Sequence, residues 1–412
     1  MMNEFLSLLF CIVALVLTNS ARAALLGAAG KVDVTPAQSV FLGGYGLNRR
    51  SNAVHDRLTA RCLILESDGK RIAFISCDLV GLPRYTIQKI RSLIKSIPPE
   101  NVLIGATHTH SGPDTLGQWG PDIRTSGVNP EWMRQTTAKI AALTDATAAK
   151  LEPVSLKFAA GNDAQNLSKN LRIPNLLDPE ISVMQAIGMR DKKPLATLVN
   201  FACHPDMLNS LAISADFPHW LEETVESGNG GICLYFNGAL GGMISANFDN
   251  NAAPKGHNFP EAQRIGTALG KEVLDLLQSA EPETAAPITR QSRVFSVPLE
   301  NPLFKAYLRL GVFPPERSRG GVIETEVCRM TIGKAEFLTL PGEVLPNIGL
   351  YLKRKMRGEP KFLLGLTGDE LGYILTPEDY GLPLYRYETQ VSVGSQVGAI
   401  MEKNLKAVMS DE

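Results

Sequence analysis

The stretch Ala106-Thr107-His108-Thr109-His110-Ser111-Gly112-Pro113 follows directly on the apolar run Val102-Leu103-Ile104-Gly105. A short apolar run bounded by turn residues reads as a buried strand. Residues i and i+2 of a strand share a face, so both imidazoles are expected to project the same way from its C-terminal end. In open α/β sheets that end is where ligands and metals usually sit. Two of the chain's six histidines lie here. Taken alone, the pair reads equally well as surface or capping residues, and the rest of the chain has to decide.

Outward from this stretch, strand-like runs recur at Arg61–Glu66, Ile72–Cys77, Val154–Phe158, Ala196–Ala202, Ile232–Phe236, Val294–Val297, Val327–Ile332, Phe337–Leu340 and Phe362–Leu366. Helical patterns fall between several of them, at Tyr85–Ser96, Glu131–Ala149, Phe217–Glu226, Glu261–Leu277, Val344–Met356 and Ser395–Met409, with Pro130 and Pro260 at expected starts. Strands alternating with helices predict an α/β, layered mixed-sheet domain with helices packed on the sheets. Val327–Leu340 holds two strands with no helix between them, which argues for mixed rather than purely parallel pairing.

The apolar segment Phe5–Leu17 leads into Ala21-Arg22-Ala23 and reads as a secretory signal over residues 1–23. Residues 24–412 are then one exported domain, periplasmic or secreted, with no membrane span. A net charge of −1 and the lack of any basic run exclude a nucleic-acid or anionic-membrane binder. Past residue 23 the five cysteines are widely spaced and mostly within apolar runs, which suits buried, inert thiols.

Three other places end like the first. Val199–Cys203 runs into His204-Pro205, Thr339-Leu340 into Pro341-Gly342-Glu343, and Phe362–Leu366 is followed by Leu371-Gly372-Tyr373. Singly, His204 reads as a core histidine, Glu343 as a first-turn carboxylate and Tyr373 as a half-buried aromatic. Together, two histidines and a carboxylate at three strand ends form a sensible catalytic zinc set with an open position.

The ordered series Gly43-Gly44-Tyr45-Gly46, Leu58-Thr59-Ala60-Arg61, Ser76-Cys77-Asp78, Ala106–Pro113, His204-Pro205, Ser214-Ala215-Asp216, Pro341-Gly342-Glu343 and Tyr373 with Thr376–Tyr380 resembles the catalytic domain of the neutral/alkaline ceramidases. These are zinc-dependent amidases that cleave the N-acyl bond of ceramide. The resemblance implies that His108, His204, Glu343 and Tyr373 ligate Zn²⁺. It implies that His110 is the general acid/base and that Tyr387 is the oxyanion donor, against a plain core tyrosine. Asp78 reads either as a carboxylate orienting a histidine or as a strand-end cap. The implied activity is exported amide hydrolysis of an N-acyl or lipid-like substrate. An esterase or lactonase with the same site, or an impaired metal-containing binding protein, stands as the alternative.

The resemblance fails at one loop and at the end of the chain. The family's Gly-Asp-Val-Ser-Pro-Asn is here Gly241-Gly242-Met243-Ile244-Ser245-Ala246-Asn247, so the aspartate becomes Gly242 and the serine position Ile244. Ser245 recovers the serine only by a one-residue shift and is not assigned as a nucleophile. The family's C-terminal β-sandwich is expected to be absent. Arg172 and Arg49-Arg50 are candidates for a carboxylate or polar headgroup, and His219 reads as a helix-start residue.

Overall fold

Two mixed β-sheets stacked face to face position the loops that carry the histidines. The structure is a computed structural model that describes residues 24–248 and 257–410. The signal-peptide reading of residues 1–23 lies outside them. The larger sheet runs in the order Ile232–Asn237, Pro194–Phe201, Glu180–Gly188, Glu152–Asn162, Leu26–Asp33, Thr59–Ser67, Lys70–Cys77 and Val102–Ala106, with Pro282–Glu283 added beside Glu152–Asn162. The outermost pair at each end is parallel and every inner pair is antiparallel. The second sheet pairs Ile288–Pro298, Val322–Ile332 and Ala335–Thr339 antiparallel, then adds Lys361–Leu364 in parallel. The expected α/β mixed-sheet class is the one observed.

Apolar side chains hold the layers together. Phe74, Leu198 and Phe236 of the large sheet meet Met330, Phe337 and Phe362 of the small one, with the Phe337 and Phe362 rings stacked at 4.2 Å. The helices Arg84–Leu93 and Pro130–Ala148 cover the other face through Ile90 and Ile140. Phe217–Asn229 and Phe259–Gln278 cover a further stretch of the large sheet through Leu221, Val225, Leu269 and Val273. The outer face of the small sheet is covered by Pro302–Leu310, Pro346–Lys355 and Val397–Met409. Each of these twelve clustered apolar side chains adds about 1.5–3 kcal/mol when fully buried. All five cysteines past residue 23 are buried and unpaired, as their apolar settings predict.

Polar bridges cross between the ends of the large sheet. Ser76 Oγ donates to the Tyr235 carbonyl at 2.5 Å, and Asn237 Nδ2 donates to the Thr107 carbonyl at 2.6 Å. Strands that stand at opposite ends of the pairing order are thereby held side by side just before His108. Asn200 ties the sheets to each other: its Nδ2 donates to the Phe236, Asn237 and Leu363 carbonyls, and its Oδ1 accepts from Leu363 N. A buried amide with partners on every side costs little to bury and fixes one arrangement.

Glu336 offers a test of the small sheet. Its buried carboxylate accepts from Gly358 N at 2.8 Å, Arg357 N at 2.7 Å and Arg329 Nε at 2.6 Å. Burial pushes its pKa up, but these donors win and hold it below the usual carboxylate range. A depressed folded pKa means stability that is full above the unfolded glutamate value and is lost as pH falls through the folded one. Glu336→Gln should therefore cost about 1–3 kcal/mol in urea denaturation at neutral pH and almost nothing at the acid limit of folding.

Candidate metal centre

His108 stands two residues beyond the strand Val102–Ala106, which ends at Ala106. The expectation that the His-x-His pair shares a strand face needs correcting, because His108 has φ 71° and breaks the extended run. The rings of His108 and His110 nevertheless lie 4.9 Å apart, brought together by this turn and not by strand alternation. A non-glycine residue in the left-handed region is strained, and such strain persists where surrounding contacts over-determine it. Here His108 N donates to the Leu79 carbonyl while Nδ1 donates to that of Val80.

His204 follows the strand Pro194–Phe201. Its Nδ1 donates to the Ile244 carbonyl at 2.8 Å. Both imidazoles thus spend Nδ1 on backbone carbonyls, which fixes the tautomer and turns Nε2 inward. Glu343 meets them after the strand Ala335–Thr339. Its Oε2 is 2.9 Å from His204 Nε2 and 3.6 Å from His108 Nε2. The turn before it needs glycine: a Cβ on Gly342 would lie 2.6 Å from the Gly372 carbonyl.

Glu343 pairs in register with Tyr373 in a short parallel ladder, which sets the two side chains beside each other. The Tyr373 hydroxyl reaches Met243 Sδ at 3.7 Å. Burial and the Glu343 carboxylate hold the Tyr373 phenol well above its ordinary value. Against burial, the two imidazoles hold Glu343 well below the carboxylate range, and Glu343 in turn raises His204.

His108, His204 and Glu343 form a buried group whose donor atoms all lie within 4.8 Å of one another, suited to holding a metal ion. Two Nε2 atoms and a carboxylate oxygen are the donor set of catalytic zinc sites. His110 stands beside this set rather than in it, with its ring 6.1 Å from His204. Its Nδ1 is buried without a hydrogen-bond partner. Burial and the two neighbouring imidazoles hold its pKa well below the usual histidine value. Tyr387 sets its ring 5.8 Å from that of Tyr373. Although solvent reaches one side of it, the surrounding protein and Glu343 push its phenol up to about 12, so it keeps its proton at neutral pH.

Asp78 does not join these residues. Its Oδ2 accepts from Thr59 N at 2.7 Å and Thr59 Oγ1 at 2.8 Å. The histidine-orienting role is corrected to that of the strand-end cap, because backbone carbonyls occupy Nδ1 of both His108 and His204 and His110 Nδ1 has no hydrogen-bond partner. Arg172 binds Glu388 in two places, at 2.7 and 3.3 Å, and Arg49 and Arg50 reach the carbonyls of Ser210 and Ser39. His219 lies in the first turn of Phe217–Asn229, as its helix-start reading expects.

In the altered loop, Ile244 is buried in the core, while Ser245 Oγ donates to Asp206 Oδ1 at 2.8 Å. Sequence reasoning missed two residues close to the centre. Glu370, whose Oε1 accepts from Gly372 N at 2.9 Å, is held well above the carboxylate range by burial and the Glu343 charge. Tyr45, which stands in the motif Gly43-Gly44-Tyr45-Gly46 but had no role assigned there, packs on His110.

Known proteins share this architecture. The fold matches the crystal structure of neutral ceramidase from Pseudomonas aeruginosa with a TM-score of 0.77 at 18% identity, covering 94% of this chain and 74% of that one. A structure of ceramidase complexed with C2 matches equally well, at 17% identity and over 94% and 75% of the two chains. By sequence, the chain is 24% identical to the Pseudomonas aeruginosa (strain PAO1) neutral ceramidase over 324 residues, 71% of this chain. It spans 48% of that relative's length. Neutral ceramidase 3 of Arabidopsis thaliana is 37% identical over 92 residues, 20% of this chain and 13% of its own. Residues 25–216, which hold His108, His110 and His204, match the neutral/alkaline non-lysosomal ceramidase N-terminal family.

Proposed function

We propose that this chain is an exported, ceramidase-like zinc-dependent hydrolase that cleaves the amide bond of an N-acyl or lipid-like substrate. The observation that supports it most is the inward convergence of His108 Nε2, His204 Nε2 and Glu343 Oε2, with Tyr373 paired beside Glu343. These four residues would hold the ion. When bound, zinc supplies Lewis-acid polarisation of the scissile carbonyl and brings the pKa of water to about 7.

His110 handles the proton. Its Nδ1 is sealed in the protein, so Nε2 is the end through which it takes a proton and returns it to the leaving amine. Tyr387, protonated at neutral pH, donates its hydroxyl to the developing oxyanion. Arg172 holds Glu388, the residue after Tyr387, and so fixes where that phenol stands. Among the described residues no helix is long and apolar enough to cross a membrane, which agrees with a substrate met from the aqueous side.

Zinc-loaded protein should hydrolyse a soluble short-chain N-acyl amide faster than the matching acyl ester, relative to each uncatalysed rate. A chelator should abolish both activities and added zinc restore them. Turnover confined to esters would replace the amidase reading with an esterase. Tight zinc without any turnover would leave a binding protein.

A further inference from the structure

We propose that Tyr45 is the positioning residue for His110, holding the imidazole by ring contact where no carboxylate does so by hydrogen bond. The proposal rests on the reading of His110 as the proton-handling group, and it starts from an oddity. A histidine that moves protons usually has its second nitrogen anchored. His110 Nδ1 is buried and has no partner, and the carboxylate expected to serve it, Asp78, is engaged at Thr59.

Packing on three sides takes the place of that bond. The Tyr45 ring meets the imidazole at 5.1 Å with an interplanar angle of 88°, edge to face. The His108 ring meets it at 4.9 Å. On the side of Gly44 the approach is so close that a Cβ there would lie 2.3 Å from His110 Cγ. Gly44 also has φ 102°, so a side chain at that position is excluded twice over. His110 N donates to the Pro205 carbonyl at 3.1 Å, which fixes the backbone while the rings fix the plane.

Tyr45 is itself secured from a distance. Its hydroxyl donates to the Asp206 carbonyl, which also accepts from His257 Nδ1 at 2.8 Å. The Arg49 guanidinium lies 5.4 Å from the ring centroid, and Arg49 Nη2 is bonded to the Ser210 carbonyl at 2.9 Å. Gly43 N donates to the Gly112 carbonyl at 3.0 Å, tying the loop to the histidine stretch. Asp206 follows His204-Pro205 directly, so the anchor of Tyr45 belongs to the segment that presents His204. A displacement of about 1 Å in a reacting group costs about a hundredfold in rate. This clamp prevents such a displacement for His110.

The test compares Tyr45→Phe and Tyr45→Leu in the zinc-loaded full chain. Long-range ¹H–¹⁵N correlation of the imidazoles is the first readout. There are only six histidines, and His110→Ala identifies the relevant signals. In Tyr45→Leu the His110 signals should split or broaden while the zinc content stays the same. Tyr45→Phe keeps the ring and should stay close to the wild type. With a soluble N-acyl amide, kcat should fall about tenfold to a hundredfold in Tyr45→Leu at nearly constant KM, with Phe recovering most of it. Combined with His110→Ala, Tyr45→Leu should cost nothing further, since both act on one group.

Unchanged His110 signals in Tyr45→Leu would overturn the proposal whatever the activity. So would a rate loss that persists in the His110→Ala background, or a change confined to KM. If His110→Ala leaves turnover intact, the acid/base reading falls, and the imidazole spectra still decide whether Tyr45 sets the ring.

Discussion

Glu343→Ala should weaken zinc binding by at least about a hundredfold while leaving the chain folded, and His204→Ala should do the same. A substitution in the shell around a metal ligand already costs about 10- to 100-fold in affinity, and removing the ligand costs more. Of the three converging donors, Glu343 Oε2 alone carries a formal charge. It also stands between the two imidazoles, 2.9 Å from one and 3.6 Å from the other. Without it, two neutral nitrogens and the Tyr373 hydroxyl remain, and their attraction for a divalent cation is weaker. Glu343→Gln keeps the shape and removes the charge, so it should fall between alanine and wild type. Metal analysis and competition with a chromophoric chelator would measure all of these. Wild-type protein should hold about one zinc per chain. A folded wild type that takes up no zinc when supplied with it would end the hydrolase reading.

The fold survives these substitutions because the site is not what assembles it. Asn200 joins the two sheets, Ser76 and Asn237 bridge the ends of the larger one, and the Phe337–Phe362 stack closes the core beneath. Zinc in this setting should raise stability by mass action and leave the architecture unchanged.

These arrangements also explain what can be read in the sequence. Strands with continuous apolar runs, such as Val102–Ala106 and Ile232–Asn237, are plain because both faces are buried. Leu26–Asp33 escapes notice because glycine and alanine dominate it, giving no apolar alternation. Glu180–Gly188 escapes because Ser182 and Gln185 interrupt the run. Both are buried and satisfied, Ser182 by the distant Lys361 carbonyl and Gln185 by Thr197 Oγ1 on the neighbouring strand. Helix Pro302–Leu310 follows a cap at Asn301 and was also unmarked.

The candidate site divides in the same way. His108, His204 and Glu343 are each legible as polar residues at the ends of apolar strands. Their meeting is not, because it depends on strands at opposite ends of the sheet being bridged to each other. Asp78 shows the reverse error: a carboxylate at the end of the strand Lys70–Cys77, open to a histidine-orienting reading, turned out to serve Thr59. Tyr45 and Asp206 are 161 positions apart, a distance at which local pattern carries no information.

His110→Ala should lower kcat for a soluble N-acyl amide by about 10² to 10⁴-fold, the usual share of a positioned acid or base. Zinc content should be untouched, because His110 is outside the group formed by His108, His204 and Glu343. This separates it from the ligand variants, which should lose metal and rate together. The leaving group supplies a finer check. An amine departs poorly unless protonated, whereas an activated phenol departs without help. The loss in His110→Ala should therefore be large for an alkyl amide and small for an activated aryl ester. Equal losses on both substrates would mean that His110 acts on binding or on the fold, and proton delivery would need another residue. Glu370 would be the first to examine, since burial and the Glu343 charge raise its carboxyl well above the usual carboxylate range beside the same centre.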